Sequence, residues 1–141
     1  MIIPDINLLA YAYNADAPRH LAAKAWWEAL MSGTEPVAVP WAVSLGFVRL
    51  LSSPRVVVVP YAPRELLAFV RAWLERPHVA VVAPGPRHLD LLESLMGRPG
   101  VAAALTTDAH LAALAIETQS ELHTADHDFA RFPGLRWRNP L

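Results

Sequence analysis

Apolar residues along this chain fall into blocks whose spacing changes between strand-like and helical periods. Met1–Pro4 is a short apolar run that predicts a buried strand, and behind it Ile6, Leu9, Ala10 and Tyr13 recur at helical spacing. Pro18 opens a second helix with Ala22, Ala25, Trp26 and Ala29 on one face, and Ser32-Gly33-Thr34 ends it. Val37-Ala38-Val39 predicts a strand closed by Pro40, and Trp41–Leu51 a helix stopped by Ser52-Ser53-Pro54. Val56–Val59 is bracketed by Pro54 and Pro60, which leaves an edge segment or a loop. Pro63 begins a helix with Leu66, Phe69, Val70 and Trp73 inward; Val79–Val82 reads as a strand; Pro86 begins a helix carrying Leu89, Leu92 and Met96. After a turn or mobile loop at Gly97-Arg98-Pro99-Gly100, Thr107–Thr118 reads as a helix, Glu121–His123 as a fourth strand and Leu135–Trp137 as a candidate fifth. Strands separated by helices predict an α/β fold in three layers, with a central, mostly parallel sheet of four to five strands and helices on both faces. There is no repeat, linker or low-complexity tract, so a single domain over 1–141 is expected.

Composition narrows the function classes. Hydrophobic residues make up 54% of the chain, enough for a packed core and too many for a disordered tail. No apolar run approaches the ~20 residues of a membrane span, and Met1–Asp5 lacks the basic start and cleavage site of a signal peptide. With no cysteine there is no disulfide framework and no thiolate chemistry, and these absences lead us to expect the cytoplasm. A net charge of −1 gives no global field toward nucleic acid or membrane. The basic set is eleven arginines and Lys24; arginine suits phosphate contacts, and a GC-rich genome would favour it equally.

The candidate chemistry lies in four aspartates. Asp5 follows the first strand, Asp108 lies at the start of the Thr107–Thr118 helix, and Asp126 and Asp128 follow the Glu121–His123 strand. In α/β folds the C-terminal strand ends converge on one edge, where ligands bind. Carboxylates gathered there repel unless a cation lies between them, and a hard ion such as Mg²⁺ or Mn²⁺ prefers oxygen ligands. Each residue alone has a plainer reading. Asp5 serves as a helix cap, Thr106 or Thr107 caps the helix that Asp108 enters, and Asp-x-Asp in a turn is often simply solvated. His123 and His127 lack the spacing of a zinc site and are expected beside the cluster or at the surface; His110 is a substrate contact or a surface residue. Trp26 and Trp73 are expected in the core, Trp27 and Trp137 at an interface. No dinucleotide loop, phosphate loop or nucleophile elbow is present. The only lysine, Lys24, lies on an early helix, away from where an aspartyl-phosphate site wants one.

Four segments together resemble the PIN-domain ribonucleases, specifically VapC-type toxins of toxin–antitoxin pairs. They are Pro4-Asp5-Ile6-Asn7-Leu8-Leu9, the stretch from Trp41 through Leu45-Gly46-Phe47-Val48-Arg49, Thr107-Asp108-Ala109-His110-Leu111-Ala112-Ala113-Leu114-Ala115, and Thr124-Ala125-Asp126-His127-Asp128-Phe129-Ala130-Arg131-Phe132. The resemblance runs nearly end to end. It implies a Mg²⁺- or Mn²⁺-dependent endoribonuclease acting on an RNA substrate, usually a homodimer, neutralised by a VapB-type antitoxin. On that reading Asp5, Asp108 and Asp126 are catalytic and hold the metal with Asp128. Asn7, Arg49 and Arg131 contact substrate, although either arginine could equally pair with a carboxylate. Many members carry a glutamate on the helix after the second strand, where this chain has Gly46, so the site holds one fewer acid. The alternative is a catalytically weak or inactive PIN domain that serves as a protein-binding partner. An apolar surplus at Tyr11, Trp27 and Leu30 on the early helices is the expected partner surface.

Overall fold

A computed structural model describes residues 1–141. Five short strands form one sheet: β1 (Ile2–Pro4), β2 (Val37–Ala38), β3 (Val79–Ala80), β4 (Glu121–His123) and β5 (Trp137–Arg138). The spatial order is β3-β2-β1-β4-β5, and every pairing is parallel. The helices are α1 (Ile6–Tyr13), α2 (His20–Ser32), α3 (Trp41–Leu51), α4 (Pro63–Leu74), α5 (His88–Met96) and α6 (Thr106–Glu117). The expected α/β architecture is therefore present, and the mostly parallel sheet is wholly parallel with five strands.

The central position of β1 explains why Met1–Pro4 carries no polar alternation: a strand covered on both faces buries every side chain, and Ile2, Ile3 and Pro4 are all buried. Its register against β4 pairs Ile3 with Leu122 and Pro4 with His123. One further bond, from the Asp5 N–H to the His123 carbonyl at 2.9 Å, carries the ladder past the strand end and fixes the first acid against the second chain segment of the site.

Two helices begin later than their prolines predict. The segment before α2 is a turn built on Asn14, whose side chain accepts the Asp16 N–H at 3.1 Å and whose carbonyl accepts the Ala17 N–H at 3.0 Å, so Pro18 belongs to the turn. Before α5, the carboxylate of Glu117 takes the Gly85 and Arg87 amides at 2.7 and 2.8 Å, which holds Pro86 outside the helix. Val56–Val59 resolves as a loop, with Val57 buried and Val58 and Val59 exposed. Gly97–Gly100 is a turn, and the positive φ of 85° at Gly100 is what requires glycine there.

The core between the sheet and α1–α4 is aromatic. Phe47 and Trp73 pack at a tilt with centroids 4.8 Å apart, and Trp27 meets Trp73 edge-on at 5.2 Å. Trp27 is thus a core residue, 2% exposed, and the interface role expected for it is overturned. Tyr11 and Leu30 also pack against the core, so the apolar surplus of the early helices is absorbed there. The large apolar side chains left at the surface include Trp41 (54% exposed) and Leu45 (60%), one turn apart on α3, and Leu67 on α4. A cleft of about 370 Å³ lies between them, lined by Trp41, Leu67, Val70, Arg71, Leu74 and Glu75. Trp137 is half-buried on the edge strand against the ring of His127.

Candidate functional site

Asp5 is the residue between β1 and α1, in extended conformation and 3% exposed. Its side chain does not complete a capping bond to α1. It turns instead to Thr124, whose hydroxyl donates to Asp5 Oδ2 at 2.8 Å. The same hydroxyl accepts the Asp126 N–H at 3.0 Å, and Asp126 Oδ1 accepts the Asp128 N–H at 2.8 Å. Asp126 thereby caps the single-turn helix His127–Arg131. Asp128 lies 3.5 Å from Arg131 Nε, and Arg131 Nη1 donates to the Gly100 carbonyl at 3.0 Å. A continuous polar chain thus runs from the buried end of β1 to the exposed 97–100 turn.

Asp108 enters from α6. Neither threonine before it caps that helix, since the Thr106 hydroxyl donates back to the Ala103 carbonyl at 2.6 Å and the N-terminal residue of the cap is Leu105. The Asp108 carboxyl is pushed up to about 6 from an ordinary 3.8, first by burial, then by the charges of Asp5, Asp126 and Asp128. Asp5 is also pushed up to about 6, chiefly by burial and further by Asp126, against the lowering effect of the Thr124 hydroxyl and the Ile6 and Asn7 amides. Four carboxylates from three parts of the chain therefore feel one another, and a basic side chain reaches only the outermost, Asp128. Hard oxygen donors in mutual repulsion fit a hard divalent cation. They do not form a ready-made ligand set: no three of them close on one point. Asp5 and Asp126 follow β1 and β4 as expected, whereas Asp108 follows no strand: a 3-10 turn, Ala103–Leu105, leads into the first turn of α6 that carries it.

The other expected residues divide. Asn7 is exposed on the first turn of α1, and Arg49 is exposed at the end of α3, where no carboxylate pairs with it. Arg131 is the carboxylate partner just described. Gly46 is buried, and a Cβ built on it would stand 2.6 Å from Ile6 Cδ1, so the side chain of Ile6 fills the space that a larger residue at 46 would need. Ser44, two residues earlier, is buried with an unpartnered hydroxyl. His123 lies beside the cluster, its carbonyl accepting the Asp5 N–H, and not at the surface. It is buried, accepts the Trp26 Nε1–H at Nδ1 (3.0 Å), and faces Glu121 with Nε2 (3.0 Å); burial lowers its pKa. His127 is exposed. His110 is half-buried, bonded to His88, and its pKa is lowered by burial and then by His88. Thr124 was missed as a site residue. Its sequence signals are its place directly after a strand, two residues before Asp126, and its position at the head of the last family-like segment.

Comparison with known proteins places this geometry in context. The sequence pattern of the PIN domain matches residues 2–135. The chain is 44% identical over 141 residues to Ribonuclease VapC33 of Mycobacterium tuberculosis, covering 100% of this chain and 99% of the relative. It is 36% identical over 140 residues to Ribonuclease VapC37 of the same organism, covering 99% and 97%. Among solved structures, VapBC2 from Rickettsia felis, bound to a promoter DNA fragment, superposes with a TM-score of 0.71 at 18% identity, covering 99% of this chain and 98% of that one. Mycobacterium tuberculosis VapC20, described as a sarcin–ricin loop cleaving toxin, superposes at 0.67 with 22% identity, covering 96% and 99%.

Proposed function

This chain belongs to the PIN-domain family, and from that premise we propose that it is a divalent-metal-dependent endoribonuclease, the toxin of a type II toxin–antitoxin pair. The observation that carries the reading is the uncompensated acid cluster: Asp5 and Asp108 both held near pKa 6 by burial and by neighbouring carboxylates, at the C-terminal edge of a parallel sheet. Relatives named as ribonucleases along the full length support RNA as the substrate.

Asp5, Asp108 and Asp126 would hold Mg²⁺ or Mn²⁺, with Asp128 at the rim. When bound there, such an ion supplies positive charge to a phosphate and acidity to a water molecule. The chain's own part is positioning. Thr124 ties Asp5 to the backbone of Asp126, and the β1–β4 ladder keeps both at one height. Asn7 and Arg49 are exposed and free to meet substrate, whereas Arg131 must share its guanidinium with Asp128 and Gly100.

The partners in this reading are a second copy of the chain and a VapB-type antitoxin. The exposed Trp41, Leu45 and Leu67 support an interaction surface on α3 and α4. No helix is long and apolar enough to cross a membrane, and the proposed compartment is the cytoplasm. The second reading, a PIN domain of little or no activity, is favoured by Gly46, which stands where many members carry a glutamate. Purified chain incubated with total RNA, with and without Mn²⁺, separates the two. Metal-dependent cleavage that is lost in Asp108→Asn supports the nuclease. Intact RNA under all conditions supports the second reading.

A further inference from the structure

Helices α5 and α6 meet through a pair of imidazoles that the acid cluster does not use. His88 Nε2 and His110 Nδ1 face each other at 2.9 Å, with ring planes at 75°. One proton fits between them, so one of the two nitrogens presents a lone pair to the other. Glu117 decides which. Its carboxylate is locked by the Gly85 and Arg87 amides, and its Oε1 stands 3.8 Å from His88 Nδ1. That separation is too long for a hydrogen bond, and His88 Nδ1 is buried without a partner. A lone pair on Nδ1 would face a carboxylate across that gap, whereas an N–H is attracted to it. The His88 proton therefore belongs on Nδ1, and Nε2 offers its lone pair toward α6.

Histidine ligands of metal ions commonly have a carboxylate behind the nitrogen that does not bind; Glu117 stands in that place, within electrostatic reach and beyond hydrogen-bond distance. Here the bare nitrogen points at a second imidazole. Two imidazoles on a tetrahedral ion with bonds of ~2.0–2.1 Å stand roughly 3.4 Å apart. Starting from 2.9 Å, the pair would open by roughly half an ångström to admit an ion. The His88 side chain is largely buried, so the movement falls mainly to the half-buried His110.

We propose that His88 and His110 form a site for a borderline divalent cation of the Zn²⁺ or Ni²⁺ class. The ion would clasp α5 to α6, with Glu117 orienting His88 and water completing the coordination. Imidazole nitrogen selects these ions, whereas the carboxylate cluster selects Mg²⁺ or Mn²⁺. With only two ligands from the chain, the site binds more weakly than a closed four-ligand structural centre. Nothing in this inference depends on the ribonuclease reading.

The test is calorimetric titration of the full, untagged chain with Ni²⁺ in excess Mg²⁺, accompanied by thermal melts. The wild type is expected to take up one Ni²⁺ and to melt higher with it. His88→Gln and His110→Gln are each expected to lose at least tenfold in affinity, and Glu117→Gln roughly tenfold through loss of orientation. The exposed-site control His127→Gln should bind as wild type. Unchanged binding in His110→Gln overturns the proposal, as does loss of binding in His127→Gln. Should His88→Gln fail to fold, His110→Gln and X-ray absorption of the Zn²⁺-loaded wild type decide the matter. A zinc spectrum without imidazole scattering overturns it.

Discussion

Replacing Thr124 with valine removes a hydroxyl at nearly constant volume, and its cost should depend on pH in a direction set by Asp5. At pH 8 the Asp5 carboxylate is ionised, and the bond it accepts from Thr124 at 2.8 Å is charge-assisted, worth about 1.5–3 kcal/mol. The Asp126 amide loses its acceptor as well; the site is half-open and water can replace it, so this adds about 0.5–1 kcal/mol. At pH 4.5 Asp5 is protonated, because its folded pKa is about 6, and a bond to the neutral acid is roughly half as strong. The expected loss is therefore about 2–4 kcal/mol at pH 8 and about 1 kcal/mol less at pH 4.5. The wild type has its own slope. The folded pKa of Asp5 lies above the unfolded 3.8, so the folded state holds the proton more tightly between 3.8 and about 6. Metal-free stability falls as pH rises through that window, by up to about 3 kcal/mol from Asp5, and levels off above it. Asp108 acts with the same sign and more weakly, being half-exposed. Urea unfolding of both proteins in chelator at pH 4.5 and pH 8 measures all of this. A penalty for Thr124→Val that is equal at the two pH values, or larger at pH 4.5, would refute the assignment of the hydroxyl to the ionised carboxylate.

Three further outcomes are expected. Asp108→Asn should abolish metal-dependent RNA cleavage while raising the metal-free melting temperature at pH 7.5, because one of four repelling charges is gone; a lower melting temperature would contradict the electrostatic account. Gly46→Glu should destabilise by about 1–3 kcal/mol in urea, because its Cβ must displace Ile6 Cδ1 from 2.6 Å, an overpacking cost that exceeds the ~1 kcal/mol gained in helix propensity. Glu117→Ala should cost about 2 kcal/mol by leaving the Gly85 and Arg87 amides without their carboxylate, and α5 amides should lose hydrogen-exchange protection ahead of the rest of the chain.

What the sequence made legible follows from local rules. A central parallel strand has no polar face, so Ile2-Ile3-Pro4 stands out. Trp41–Leu51 begins after Pro40 and ends before Ser52, and the observed α3 has those limits. The helix starts near Pro18 and Pro86 were misjudged because proline fixes one torsion but does not supply the acceptor for the amides around it. Asn14 and Glu117 do, and the second lies about thirty residues away in sequence. Trp27 was misjudged for a related reason. Adjacent tryptophans on a helix cannot share one face, yet Trp26 and Trp27 both turn inward, one toward His123 and the other toward Trp73.

The acid site shows the same limit at the level of chemistry. Asp5 and Asp126 could be singled out because strand order brings the ends of β1 and β4 together, whereas Asp108 arrives on the first turn of α6, with no strand directly before it. Thr124 could not be, since its role depends on a hydroxyl meeting a carboxylate 119 residues earlier in the chain. Gly46 carried a signal that pointed the wrong way. Seen only as a missing acid, it invites restoration; seen against Ile6, it marks where the Ile6 side chain occupies the space that a Cβ at 46 would enter. Ile6 directly follows Asp5, so the packing that excludes a carboxylate at 46 also seats the helix from which Asp5 projects. Restoring the acid and keeping Asp5 in place are therefore competing demands on one contact. A functional Gly46→Glu chain should need a smaller residue at position 6, and the double variant Gly46→Glu with Ile6→Ala should recover stability relative to Gly46→Glu alone. A double variant less stable than the single one, by the full cost of Ile6→Ala, would show that the two positions do not couple.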